Sequence, residues 1–216
     1  YEIPLRLVGS EMCIRDRDSF KRLGKTFAEL VKEKHIFVFL LAFFFYIDGV
    51  YTVIDMATAY GQALGLDSTG LLLALLVTQI VAFPSLLIFG RIVKKVSPEK
   101  IITVCIMAYF GIAVYAYWLD TQFDFWMLAV LVGMFQGTIQ ALSRSYFAKI
   151  IPAEKSGEYF GIYDICGKGA SVIGTALVSF ISQMTGSINI AVSALSVMFL
   201  VGLVLFRYSA KLNSVR

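Results

Sequence analysis

Charge is scarce in this sequence: Lys and Arg number 19, Asp and Glu 15, and together they make up 16% of 216 residues, against roughly a quarter in soluble domains. That scarcity, beside 58% hydrophobic residues and a mean hydropathy of +0.77, excludes a water-soluble domain, whose surface needs more polar cover. Histidine occurs once, at His35, and cysteine only as Cys13, Cys105 and Cys166. A structural or catalytic metal needs several such ligands together, so no metal and no cofactor are expected. Cys105 and Cys166 read as small hydrophobes in different helices, without a disulfide framework.

Catalytic constellations are equally sparse, and an enzyme is not expected. There is no His-Glu-x-x-His motif and no Ser-His catalytic set. Asp48 and Asp55 stand about 10 Å apart along one helix, too far to share a proton as an aspartyl protease dyad does. The run from Gly161 through Gly167, Lys168 and Gly169 misses a phosphate loop, because five residues separate its first two glycines and Gly169 stands where Ser or Thr binds magnesium.

Long apolar runs are what the sequence has. Six occur, at Ile36 to Tyr60, Gly70 to Phe89, Ile101 to Leu119, Phe125 to Ser143, Tyr159 to Met184 and Ser187 to Phe206. Each approaches or exceeds the ~20 residues that a helix needs to cross ~30 Å of hydrocarbon, and none alternates like a barrel strand. The expected fold is an all-α integral membrane protein of six transmembrane helices, with the lipid bilayer as its first partner.

The net charge of +4 marks a membrane side rather than a nucleic-acid partner. Lys21, Arg22, Lys25, Lys32 and Lys34 precede the first run, Arg91, Lys94, Lys95 and Lys100 follow the second, Arg144, Lys149 and Lys155 follow the fourth, and Arg207, Lys211 and Arg216 follow the sixth. The connections Gly61 to Thr69, Asp120 to Asp124 and Thr185 to Gly186 carry no Lys or Arg. The positive-inside rule then predicts cytoplasmic termini and basic loops. Trp118, Phe123, Phe125 and Trp126 mark a headgroup-level belt on the other side.

Polarity repeats with a period of three runs. Runs one, two, four and five carry Asp48 and Asp55, then Thr78, Gln79 and Pro84, then Gln136 and Gln140 with Arg144 at the inner end, then Asp164 and Lys168. Runs three and six hold no charge and are expected to face lipid. This is the pattern of three-helix repeats inverted around a midplane site. Small residues recur every four positions at Gly133, Gly137, Ala141 and Ser145, and at Gly167, Ser171, Thr175 and Ser179, and predict close helix packing.

The six-run unit resembles the C-terminal half of a major facilitator superfamily transporter, one half of a twelve-helix fold. Gly90-Arg91-Ile92-Val93-Lys94-Lys95-Val96-Ser97 stands where that superfamily carries Gly-x-x-x-Asp-Arg-x-Gly, with Lys94 in place of the acid and Ser97 in place of the second glycine. Tyr46-Ile47-Asp48-Gly49-Val50, Gln140-Ala141-Leu142-Ser143-Arg144-Ser145, Ile151-Pro152 and Glu158-Tyr159-Phe160-Gly161 are similar to the branch related to the autophagy-linked vacuolar effluxers. The likeness runs from about Ile36 to Phe206. It implies secondary transport of small solutes, with amino acid efflux known among fungal members, in a cell membrane or, in a eukaryote, a vacuolar or endomembrane.

Residues 1–17 resemble a translated sequencing-library adapter and are read as a non-native leader. Residues 18–35 are read as a basic cytoplasmic segment, 36–206 as the six-helix transporter half and 207–216 as a cytoplasmic tail. A partner N-terminal six-helix half is expected upstream of the chain.

Ionisable groups inside the spans are the candidate site, since each costs about 2.5–3.5 kcal/mol at a helix centre. Asp48 lies about 18 Å from Ile36, near the midplane. With Tyr51, Thr52 and Asp55 it forms either a cavity wall, where Asp48 is the candidate for a coupling proton, or an inter-helix anchor. Asp164 and Lys168, spaced i,i+4, either pair with each other or bind an anionic group. Gln136 and Gln140, with Gln79 on the second helix, contact a zwitterion or a neighbouring helix. Arg144 reads as an interface anchor or part of an inner gate. A half-size scaffold without transport is the rival function.

Overall fold

A computed structural model of the chain describes residues 24, 26–63, 65, 67–119 and 121–214. The leader at Tyr1 to Arg17, the basic residues Lys21, Arg22, Lys25 and Arg216, and Asp120 lie outside the described residues. Six segments are long and apolar enough to cross a membrane: Lys34–Asp55, Ser68–Ile92, Pro98–Trp118, Gln122–Ile150, Ala153–Thr185 and Ile188–Asn213. From Lys34 on, the α-helices are α1 (Lys34–Asp55), the short α2 (Ala57–Ala63) between the first two spans, α3 (Ser68–Ile92), α4 (Pro98–Tyr115), α5 (Gln122–Ile150), α6 (Ser156–Thr185), α7 (Ile188–Ser193) and α8 (Leu195–Ser214). The first run, continuous in the sequence, breaks at Met56 into α1 and α2, and the sixth span breaks at Ala194 into α7 and α8.

Local chemistry sets the helix ends away from the basic loops. The Asp67 carboxylate accepts a hydrogen bond from the Gly70 amide at 3.0 Å and caps α3. Thr121 and Asp124 form a reciprocal capping box at the start of α5, which satisfies donors that a helix leaves open in its first turn. Gly186, at φ 68°, adopts the left-handed conformation that ends α6, a geometry that costs a residue without Cβ little.

The principal packing pairs repeat across the two halves of the chain. α1 packs on α6 and α8, α5 packs on α3 and α4, α4 meets α8, and α1 meets α5. Exchanging the first three spans for the last three maps this set onto itself, as an inverted three-plus-three repeat requires. The architecture is that of one half of a major facilitator fold. The basic loops gather at one end of the bundle: the Ser209 hydroxyl donates to the His35 carbonyl at 2.8 Å, and Lys155 pairs with Glu29 at 2.6 Å. At the other end the Tyr60 hydroxyl donates to the Ala116 carbonyl, and the Asn189 amide donates to the Leu119 carbonyl.

Two expectations about packing change. The most exposed spans are the second and fifth, each only 22% buried, whereas the third is 44% and the sixth 33% buried. Spans three and six do present apolar outer faces, but span three also packs on α5 and span six on α1, where Gly49 lies under Phe199 and Gly202 against the Tyr46 backbone. The small-residue seam of α6 is Gly167, Ala170, Gly174 and Val178, all buried, rather than Gly167, Ser171, Thr175 and Ser179. A one-residue rotation selects it because Gly174 meets the polar side of α1. The α5 stripe holds at Gly133, which lies directly against the Thr78 backbone of α3, and at Gly137, whose Cβ position stands 3.9 Å from Leu86 of the same helix.

Candidate functional site

Aromatic packing shapes the basic half of the bundle. Phe43 stacks on Tyr163 with ring centroids 4.1 Å apart, Tyr163 stacks on Phe147 at 4.9 Å, and Phe39 touches Phe147 and Tyr146. Against this wall a partly open cleft of about 410 Å3 lies between α1, α5 and α6. Phe43, Ile47 and Tyr51 enter it from α1 at four-residue spacing, Gln140, Ala141 and Arg144 from α5, and Tyr163, Asp164, Gly167 and Lys168 from α6. Such spacings put each set on a single helix face.

Inside the cleft the acid finds a different partner from the one its spacing suggests. The Arg144 guanidinium donates to the Asp164 carboxylate at 3.3 Å across the α5 and α6 interface. Arg144 also lies 5.1 Å over the Phe160 ring, a cation–π arrangement. No ion pair joins Asp164 to Lys168 among the described residues. The i,i+4 pairing expected there is replaced by an inter-helix one, because α5 brings a planar guanidinium toward the carboxylate while Lys168 faces the open cleft. Both partners are about half exposed, 58% for Arg144 and 46% for Asp164, so the pair contributes at most about 1 kcal/mol.

Asp48 lies elsewhere. It is fully buried between α1 and α6, and its Oδ1 accepts from the Gly174 amide at 2.9 Å. Its Oδ2 and the Thr52 hydroxyl, one turn on, are buried beside each other without closing a hydrogen bond of good geometry. A Cβ on Gly174 would stand 2.1 Å from Thr52 Oγ1 and 2.8 Å from Asp48 Oδ1, so only glycine fits this crossing. Asp48 and Ile47 are adjacent in sequence and therefore about 100° apart around α1. That rotation turns the acid toward α6 while Ile47 lines the cleft.

Of the candidate residues, the cleft unites Tyr51, Gln140, Arg144, Asp164 and Lys168. Thr52 stays with Asp48, and Asp55 is exposed at the end of α1. Gln79 and Gln136 line a separate small apolar cavity between α1, α3 and α5, where Gln136 Oε1 is buried without a partner. Phe43, Ile47 and Tyr163 were not among the sequence candidates. Their signal is the four-residue spacing that leads to Tyr51 and the position of Tyr163 beside Asp164, but apolar and aromatic residues at helical spacing look the same whether they face a cavity or the core.

The strings that carry the family resemblance converge on this region. Tyr46 Oη and Ser143 Oγ share a hydrogen bond of 2.6 Å, Arg144 covers Phe160, and the Thr26 hydroxyl donates to the Glu158 carboxylate.

Comparison with known proteins agrees with the architecture. Residues 17–214 match the family model described as vacuole effluxer Atg22 like. An uncharacterized MFS-type transporter of Bacillus subtilis, YxiO, is 46% identical over 191 residues, covering 88% of this chain and 45% of the relative. Autophagy-related protein 22 of Candida glabrata is 24% identical over 200 residues, covering 87% and 37%, and that of Saccharomyces cerevisiae is 26% identical over 184 residues, covering 80% and 34%. The chain thus spans less than half the length of these curated relatives. With six membrane-crossing segments and a match over nearly its whole length, the chain belongs to the vacuole effluxer Atg22-like family of the major facilitator superfamily.

Proposed function

We propose that the chain forms one half of a secondary active transporter, and that its cleft is one wall of a site for small solutes, amino acids among them, moved in the direction of efflux. The observation that carries this reading is the meeting of Gln140, Arg144, Asp164 and Lys168 in one cleft of about 410 Å3 within a membrane bundle. Ionisable groups there are retained against a cost of about 2.5–3.5 kcal/mol each at a helix centre. The cleft offers cationic donors to a carboxylate, and Asp164 with the Gln140 carbonyl to an ammonium, which suits a zwitterion. The opposite wall comes from a second six-helix block, the N-terminal half of the whole protein. The low burial of the second and fifth spans supports that partner. Rocking of the two blocks about the cleft gives alternating access.

The driving force in this reading is an ion gradient. Asp48 is the candidate coupling-proton site, because its Oδ2, which closes no hydrogen bond of good geometry, leaves a position for a proton and a buried carboxylate without a counter-charge is costly. Tyr51 is the link between that helix and the solute. The basic end faces the cytoplasm by the positive-inside rule, in a cell membrane or, in a eukaryote, a vacuolar or other internal membrane.

The test uses the full-length protein in proteoliposomes with a radiolabelled amino-acid mixture. The parent exchanges label across the membrane, and Gln140→Ala and Lys168→Gln lower exchange by about tenfold or more, as expected for lost hydrogen bonds to charged groups. Asp48→Asn retains exchange and loses accumulation driven by a pH gradient. Unchanged exchange in both cleft variants refutes the cleft assignment. The second reading, a half-size scaffold, draws on the inter-helix Arg144 and Asp164 pair and the Asp48 and Gly174 contact, which also serve assembly; a folded parent that exchanges none of the label favours it.

A further inference from the structure

We propose that the groove between the basic ends of α4 and α8 binds an anionic phospholipid, its phosphate held by Lys100, Arg207 and Lys211. The groove is a cavity of about 580 Å3, and none of its lining residues is shared with the solute cleft. Lys100 and Thr103 enter it from α4, and Arg207, Tyr208 and Lys211 from α8, with Glu99 as the one acid. Lys100 and Arg207 by themselves outnumber the one carboxylate among the lining residues, and Lys211 adds a further ammonium. Hydroxyls of Thr103 and Tyr208 supply further donors suited to phosphate oxygens.

Below the charges, both helices present what an acyl chain requires. On α4, Lys100, Val104, Met107 and Gly111 follow one another at four, three and four residues, and on α8, Lys211, Tyr208, Val204, Val201 and Val197 follow at three and four. Each series is one continuous helix face. Val104 and Met107 are 52% and 57% exposed, Val204 and Val197 62% and 60%. A Cβ at Gly111 would meet nothing within 4 Å, so the α4 face remains open along its length. Tyr109 stacks on Phe199 at 5.5 Å where the two helices meet. From Lys100 to Gly111 the face runs about 16 Å at 1.5 Å per residue, close to half of the ~30 Å hydrocarbon core.

A cationic headgroup pocket at the end of two apolar stripes, each about one leaflet long, is the shape of a phospholipid standing in its own leaflet. A water-soluble phosphate would use the cations but not the stripes, and this decides for the lipid. Basic pockets between membrane helices recognise anionic headgroups by the same charge balance. The assignment depends on the chain spanning a membrane and not on its transporting anything.

The test is lipid exchange on the full-length protein in nanodiscs, read by native mass spectrometry, with phosphatidylglycerol against phosphatidylcholine as probes. Phosphatidylglycerol is retained preferentially by the parent. Lys100→Gln, Arg207→Gln and Lys211→Gln together lower that preference on the order of a hundredfold, the effect expected of three cations beside an anionic surface. Lys94→Gln with Lys95→Gln, at the same end but outside the groove, leaves it unchanged, and Lys100→Gln alone gives a partial loss if the triple variant is unstable. Glycerol 3-phosphate does not displace the lipid. Equal loss in the Lys94 and Lys95 variant would reduce the effect to bulk attraction, and displacement by glycerol 3-phosphate would make this a phosphate site; either overturns the proposal, as does an absence of preference in the parent.

Discussion

At the scale of single residues, Gly174 is the position where one added carbon changes most. Its Cβ would stand 2.1 Å from Thr52 Oγ1 and 2.8 Å from Asp48 Oδ1, forcing a fully buried carboxylate away from the amide that satisfies it. Gly174→Ala is therefore expected to destabilise the protein by about 1–3 kcal/mol, the usual cost of overpacking a core. Gly111→Ala meets open space and removes a helix-interior glycine, so it is expected to stabilise by about 0.5–1 kcal/mol. Thermal melting of both variants in detergent distinguishes them, and a Gly174→Ala protein as stable as the parent would contradict this geometry.

The charged residues of the cleft give a second expectation at this scale. A double-mutant cycle on Arg144→Ala and Asp164→Asn should show a coupling of at most about 1 kcal/mol in stability, since the pair is half exposed. The same cycle on Asp164→Asn and Lys168→Gln should be additive, because their side chains do not pair. Strong coupling in the second cycle, with none in the first, would reverse the assignment. The spacing of Asp164 and Lys168 suggested an intrahelical pair, and only the approach of α5 decided otherwise: i,i+4 spacing brings two residues to one face but does not exclude a partner from a neighbouring helix.

At the scale of elements, the second span depends on a backbone contact with α5. Gly133 stands where a Cβ would meet the Thr78 carbonyl oxygen at 2.6 Å, and Thr78 donates to the Ala129 carbonyl across the same interface at 3.3 Å. Backbone atoms cannot swing aside as a side chain can, so Gly133→Ala is expected to cost about 1–3 kcal/mol and to loosen α3. Faster hydrogen exchange confined to α3 and α5 would be its mark; unchanged exchange in both helices would show that the contact is not limiting. The four-residue stripe on α5 made this approach legible in the sequence. The seam on α6 was not legible, since Gly167, Ser171, Thr175 and Ser179 form as good a small-residue row as the one that packs. Small side chains permit close approach on any face; the polar face of α1 selected Gly174.

For the whole molecule, the one-sided distribution of basic residues predicts an orientation. Cysteines introduced at Lys95, Lys155 and Lys211 should be inaccessible to an impermeant thiol reagent added outside intact cells, and those at Asp67 and Ser187 accessible. Labelling from outside at position 95 would invert the topology. The bundle itself already gathers the basic loops at one end, through the Ser209 contact with His35 and the Lys155 pair with Glu29.

The sequence by itself determined six spans and the placement of basic residues on alternate connections, because hydrocarbon imposes length and apolarity on each span separately; the relation of the two sets of three spans, suggested by their polarity, rests on the packing pairs. It also marked the region of the cleft, through polar residues that lipid penalises wherever they point. Which of those residues share a space was decided only by tertiary structure. The rotation of α1 that turns Asp48 toward Gly174 and Tyr51 into the cleft, and the guanidinium that α5 brings to Asp164, depend on contacts between helices far apart in the chain. A helical period fixes which residues lie on one face, but the face that meets a neighbour is chosen by the packing of both helices together.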